Sequence, residues 1–139
     1  MLPGSLILLI AGLAHGADSG LFIDHVWARP TPPGVTVGVV YLELKNRGTS
    51  PDRLLRLATP LATAVQLHET REEHGLMSMR QLPFLDVPAG GMVKASPGAL
   101  HIMLLGLNKP LLDGDTFPLT MLFGAAGALT VQVRVRTDR

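Results

Sequence analysis

In "ALTVQVRVR", residues 128–136, apolar and polar positions alternate without a break from Leu129 onward. Leu129, Val131, Val133 and Val135 point one way, and Thr130, Gln132, Arg134 and Arg136 the other. That period of two predicts a strand with one face on a core and one in water. "VVYLELKN" does the same less strictly, with Val40, Leu42 and Leu44 as its inward set. Further short β-rich runs are "FIDHVWARP", "DRLLRLATP", "TAVQLHET", "GLMSMRQL", "HIMLLGL" and "TFPLTMLF". Pro and Gly separate them at short intervals, and no window supports a long amphipathic helix. Seven or eight short strands with regular turn signals predict an all-β chain, an antiparallel sandwich or barrel of one domain. Pro30, Pro32 and Pro33 deny ladder donors to "RPTPPGVTV", which reads as a stiff loop.

The first residues break the pattern. "MLPGSLILLIAGLAHGADS" is an uncharged apolar run followed by small residues, as in a secretory signal peptide, although it has no Lys or Arg at its start. Cleavage after Gly16 puts Ala14 and Gly16 at the small-residue positions. The expectation is a signal peptide over 1–16, a single β-sandwich domain over 17–139, and export. The apolar run is too short for a membrane-spanning helix, which needs roughly 20 residues, and no later run approaches that length.

Composition narrows the function classes. A formal net charge of +1 and 4% aromatics argue against nucleic-acid binding. The absence of cysteine removes disulfides, thiolate metal sites, thiol nucleophiles and a lipid-bearing cysteine together. No serine sits in a nucleophile-elbow pattern and no carboxylates form a catalytic motif, so an enzyme is not expected. A blue-copper electron-transfer site needs a Cys thiolate and is excluded on the same ground.

The remaining chemistry lies in His and Met. In "LHIM", His101 and Met103 are two apart and share a strand face, with Ile102 and Leu104 on the opposite, core-directed one. In "AVQLHE", Val65 and Leu67 are the apolar face, so His68 points the other way. Met77 and Met79 also lie two apart. The turn residues of "VPAGG" separate these segments, and strand pairing at about 4.8 Å could gather them. Imidazole and thioether carry no charge, serve calcium and magnesium poorly, and suit Cu(I). Methionine is also a common core filler, so this chemistry leaves two readings open: a Cu(I) site, or a secreted β-sandwich binding module without a metal. Met92 and Met121 read as packing residues, His25 as a surface or structural residue, and His74 as a solvated residue of the polar turn "REEHG".

The spacing of these residues, His68, ten residues, Met79, twenty-one residues, His101, one residue, Met103, resembles the H-x10-M-x21-H-x-M signature of the periplasmic copper chaperones of the PCu(A)C family. Two flanking stretches resemble that family too: "VWARPTPPGVTVGVVYLELKNRGTSPDRLL", with its "N-x-G…D-x-L" end, and "VPAGGMVKASPGALHIMLLGLNKPLLDGDTFPLTMLF". The resemblance implies a cupredoxin-like Greek-key β-sandwich binding one Cu(I) per chain, with His68, Met79, His101 and Met103 as ligands. It further implies a periplasmic metallochaperone that supplies copper for the dinuclear centre of cytochrome c oxidase. Its partner would be the copper-accepting subunit of the oxidase or another copper chaperone. Some members carry an extra Met just after the first His. Glu69 and Thr70 stand there in this chain, which leaves Met77 as the nearby additional thioether. The sequence ends "VRTDR", without the His- and Met-rich tail of some members, so a second, Cu(II) site is not expected. A monomer is the expected state.

Overall fold

The computed structural model describes residues 20–137; the signal-peptide expectation over 1–16 lies outside them. The described residues form ten strands and no helix: β1 (Leu21–Ala28), β2 (Val37–Asn46), β3 (Asp52–Ala58), β4 (Ala62–Glu73), β5 (Leu76–Leu82), β6 (Leu85–Val87), β7 (Met92–Ala95), β8 (Leu100–Leu107), β9 (Thr116–Phe123) and β10 (Gly127–Val135). All eight predicted runs are strands. The two additions, β6 and β7, have three and four residues, too few to show an alternation.

The strands run in the order β5-β4-β8-β2-β1-β10-β9-β3-β6, with β7 beside the second half of β2. One short parallel pairing, Trp27 with Arg134 and Ala28 with Val135, joins the two halves of this sheet. The chain crosses from half to half after β2, β3, β5, β6 and β8, giving the cupredoxin-like Greek-key sandwich that the resemblance implies. One half contributes Val40, Leu42, Leu44, Leu67, Ile102 and Leu104 to the core; the other contributes Leu54, Phe117, Leu119, Met121, Val133 and Val135. Each such side chain contributes roughly 1.5–3 kcal/mol by leaving water. The inward sets predicted for β2, β4, β8 and β10 all face this core. Met92 does not: Val93 and Ala95 are the inward residues of β7, so Met92 alternates outward and is 55% exposed. Met121 is fully buried, as expected.

Two buried polar residues tie the loops between the halves. Asn46 donates from Nδ2 to the carbonyls of Ser50 (2.9 Å) and Val87 (3.1 Å), and its Oδ1 accepts from Gly48 N–H (2.9 Å). Asp52 accepts from the backbone N–H groups of Arg53 (2.7 Å), Ala125 (2.8 Å) and Ala126 (3.0 Å). The "N-x-G…D-x-L" stretch is thus a fastening of loops to the sandwich.

Candidate metal centre

The register of three neighbouring strands assembles the His and Met residues. Across β4 and β8, His68 stands opposite His101 and Gln66 opposite Met103. Across β4 and β5, His68 stands opposite Gln81, Thr70 opposite Met79, and Glu72 opposite Met77. Directly paired residues share a face, and so do residues two apart. His68, His101, Met103, Met79 and Met77 therefore lie on one face of β5-β4-β8. It is the outer face, because Leu67, Ile102 and Leu104 occupy the core face. Met103 and Met79 are diagonal neighbours of His68 on either side, within reach of long side chains.

The two imidazole centroids are 5.9 Å apart, with ring planes inclined at 35°. His101 is 8% exposed, and its Nδ1–H donates to the Ala99 carbonyl at 3.0 Å. A carbonyl only accepts, so the neutral ring carries its free lone pair on Nε2. His68 donates from Nε2–H to Gln66 Oε1 at 2.9 Å, which leaves the lone pair on Nδ1. That Nδ1 is buried without a hydrogen-bond partner. Burial, and secondarily the neighbouring His101, lower the His68 pKa below its usual 6.5, which keeps the ring neutral. A buried lone pair without a partner costs free energy, and a bound metal would take up that lone pair in place of the missing hydrogen-bond donor.

The polar segment that separates His68 from Met79 is strand rather than a long loop. β4 runs to Glu73 and β5 starts at Leu76, so only His74 and Gly75 form the turn. Their φ angles of 54° and 81° give the type I′ geometry that matches the twist of a hairpin. His74 is exposed, as expected. The last β4–β8 pair is Glu69 with Leu100, so the hairpin continues past β8 as a two-stranded ribbon. Met79 sits on this ribbon, 55% exposed, and Met77 nearer the turn, 65% exposed.

Aromatic residues border the site on its other side. Val39 and Val40 of β2 pair with Met103 and Ile102, so Tyr41 follows on the outer face beside His101. Trp27 pairs with Tyr41, their rings 4.9 Å apart, and the Arg29 guanidinium lies 5.9 Å and 5.6 Å from their ring centroids. This cover leaves Tyr41 only 7% exposed. The sequence reading missed the wall and also the two partners of the histidines, Gln66 and Ala99. The available signal was Tyr41, an aromatic in the outward set of an otherwise regular strand. His25 lies apart from the site, at an irregularity of β1, with Nδ1 3.3 Å from Glu43 Oε1.

Among the described residues no three His, Cys, Asp or Glu side chains gather where they could share an ion. The donors this face offers are two imidazoles, each with one ring nitrogen free of hydrogen bonds, and the thioethers of Met103, Met79 and Met77. That set fits a soft monovalent ion and is unsuited to hard cations.

A family model described as "Putative lipoprotein LpqE-like" matches residues 21–135. A protein of Leifsonia xyli subsp. xyli, "Putative lipoprotein Lxx21020", is 29% identical over 118 residues, covering 84% of this chain and 70% of its own length. Among solved structures, the solution structure of CuI-DR1885 from Deinococcus radiodurans superposes with a TM-score of 0.67 at 29% identity, covering 91% of this chain and 87% of its own. The copper-bound PCuAC domain from PmoF2 gives a TM-score of 0.74 at 24% identity over 86% of this chain and 94% of that domain, a likeness of fold.

Proposed function

The chain belongs to the LpqE-like family and is a PCu(A)C-type domain, and from that premise we propose that it is an exported Cu(I)-binding metallochaperone. It holds one Cu(I) per chain through His68, Met79, His101 and Met103. The observation that carries this reading is the convergence of these four on one outer sheet face, with the lone pairs of His68 Nδ1 and His101 Nε2 both free. The copper-bound relatives of the same fold support copper as the cargo. Export is supported by the lipoprotein names of the family and of the Leifsonia protein.

In this reading each side chain has a defined task. The Ala99 carbonyl and Gln66 fix the tautomers, so each ring presents one nitrogen free of hydrogen bonds. The rigid β4–β8 pair holds His68, His101 and Met103, and the ribbon brings Met79 over them. With neutral ligands the loaded site carries the +1 charge of the ion itself. Thioethers bind more weakly than thiolates, and the exposed Met79 side lets an acceptor ligand enter before the original ligands leave. The acceptor is a copper-receiving protein, in this proposal the subunit that carries the dinuclear centre of cytochrome c oxidase or a chaperone that serves it, in the periplasm.

Anaerobic titration of the protein with Cu(I) against a competing chelator tests the binding. About one copper per chain is expected, with far weaker binding by a His101→Ala, Met103→Ala double variant. Equal and negligible binding by both proteins would overturn the copper reading. Transfer within a protein complex is tested by adding a chelator too large to enter it; complete interception of the copper would exclude direct ligand exchange.

A further inference from the structure

The exposed thioether of Met77 is unaccounted for by packing or by the four-ligand site. It lies on the same face of β5 as Met79, one alternation closer to the turn and about 7 Å further along the strand. It is the more exposed of the two, and it is outside the hydrophobic core and the apolar residues packed against it. Exposure therefore rises along a line of donors: His101 at 8%, Met79 at 55%, Met77 at 65%. Across the strand pair from Met77 stands the carboxylate side chain of Glu72, on the same face, a negative charge beside the outermost thioether.

We propose that Met77 is a transfer ligand, taking up Cu(I) on its way between the inner site and an acceptor. The proposal rests on the copper reading above. As the ion leaves, a Cu–S bond to Met77 forms while the bonds to His101 and Met103 break, and an acceptor donor then displaces the remaining ligands. The copper stays Cu(I) throughout, and a thioether has no proton to gain or lose, so the exchange needs no oxidant and no base. The ribbon makes the step mechanically cheap. Beyond the Glu69–Leu100 pair it has two strands only, and a two-stranded ribbon is marginally stable by itself. Its tip can swing without disturbing the core, carrying Met77 and Met79 outward while His68, His101 and Met103 stay fixed on the sandwich.

The test compares Met77→Leu and Met79→Leu in the full chain, both volume-conserving changes at exposed positions. Circular dichroism confirms the fold of each. Equilibrium competition measures Cu(I) affinity, and anaerobic stopped-flow measures the rate of transfer to bathocuproine disulfonate. For Met77→Leu the affinity should stay within about threefold of the unsubstituted protein while the transfer rate falls about tenfold, or 1.4 kcal/mol on the barrier. For Met79→Leu the affinity should fall about tenfold. A Met77→Leu protein that transfers as fast as the unsubstituted one overturns the proposal. So does one that loses as much affinity as Met79→Leu, because Met77 would then be a resident ligand. If the unsubstituted protein binds no Cu(I), the copper reading itself has failed, a result obtained before either variant is measured.

Discussion

Two polar clusters in this molecule each hold a buried side chain or buried atom and are arranged on opposite principles. Around Asn46 and Asp52, six hydrogen bonds from or to the two side chains leave no buried side-chain atom without a partner. Around His68 and His101, one hydrogen bond orients each ring and the remaining nitrogen is left free, with His68 Nδ1 buried and unsatisfied. The first cluster turns polar side chains into stability. The second forgoes some stability and leaves two lone pairs available, which is how the proposed metal site differs from a fastening.

The contrast can be broken in either direction. The largest effect is expected from His101→Ala with Met103→Ala, which should weaken Cu(I) binding by about a thousandfold, or 4 kcal/mol, measured where the variant remains folded. An unchanged Cu(I) affinity in the folded variant would show that the pair is a fastening after all. Next, Asp52→Ala leaves the N–H groups of Ala125 and Ala126 without their acceptor and should cost roughly 3 kcal/mol, lowering the melting temperature by about 10 °C. Its copper affinity, measured where it remains folded, should match that of the unsubstituted protein. A smaller effect is expected from His68→Leu: the apo protein should gain up to about 1 kcal/mol in thermal denaturation, because an unsatisfied buried nitrogen is removed, and should lose copper binding. A destabilised apo variant would contradict the unsatisfied reading of Nδ1.

The smallest effect is a pH dependence. His68 has its pKa lowered in the fold by burial and by His101, so the unfolded chain binds the proton more readily. Apo stability should therefore fall as pH drops from about 6.5 toward the folded pKa, and stay level below it. Measured as the difference in melting temperature between His68→Leu and the unsubstituted apo protein, the gap should widen on acidification through that window. A gap that narrows would reverse the sign and place the proton preferentially on the folded state.

The faces were legible along the chain because the period of two needs only neighbours. Leu129 to Val135, Val40 to Leu44, and the outward turn of His68, His101 and Met103 all follow from it, as does the all-β class. Met92 was misread because four residues of β7 are too short to reveal which parity faces the core. The extent of the hairpin was misread for a related reason. The charged run from Arg71 to Glu73 is strand, yet no core lies under it there to impose an apolar alternation. Asn46 and Asp52 were visible as a resemblance motif, but their work is done with carbonyls and amides up to 74 residues away, which carry no side-chain signature.

For the site, the chain's own pattern sets which side each donor faces and how soft the donor set is, since both are local properties of residue type and parity. Which donors meet is a matter of register between strands 33 residues apart in sequence, His68 against His101, and a slip of one would have sent one imidazole into the core. The tautomers, the unpartnered Nδ1, the aromatic wall and the ribbon that carries Met77 and Met79 past the end of β8 exist only in the folded arrangement. Each depends on groups that the fold brings close and that the sequence keeps apart.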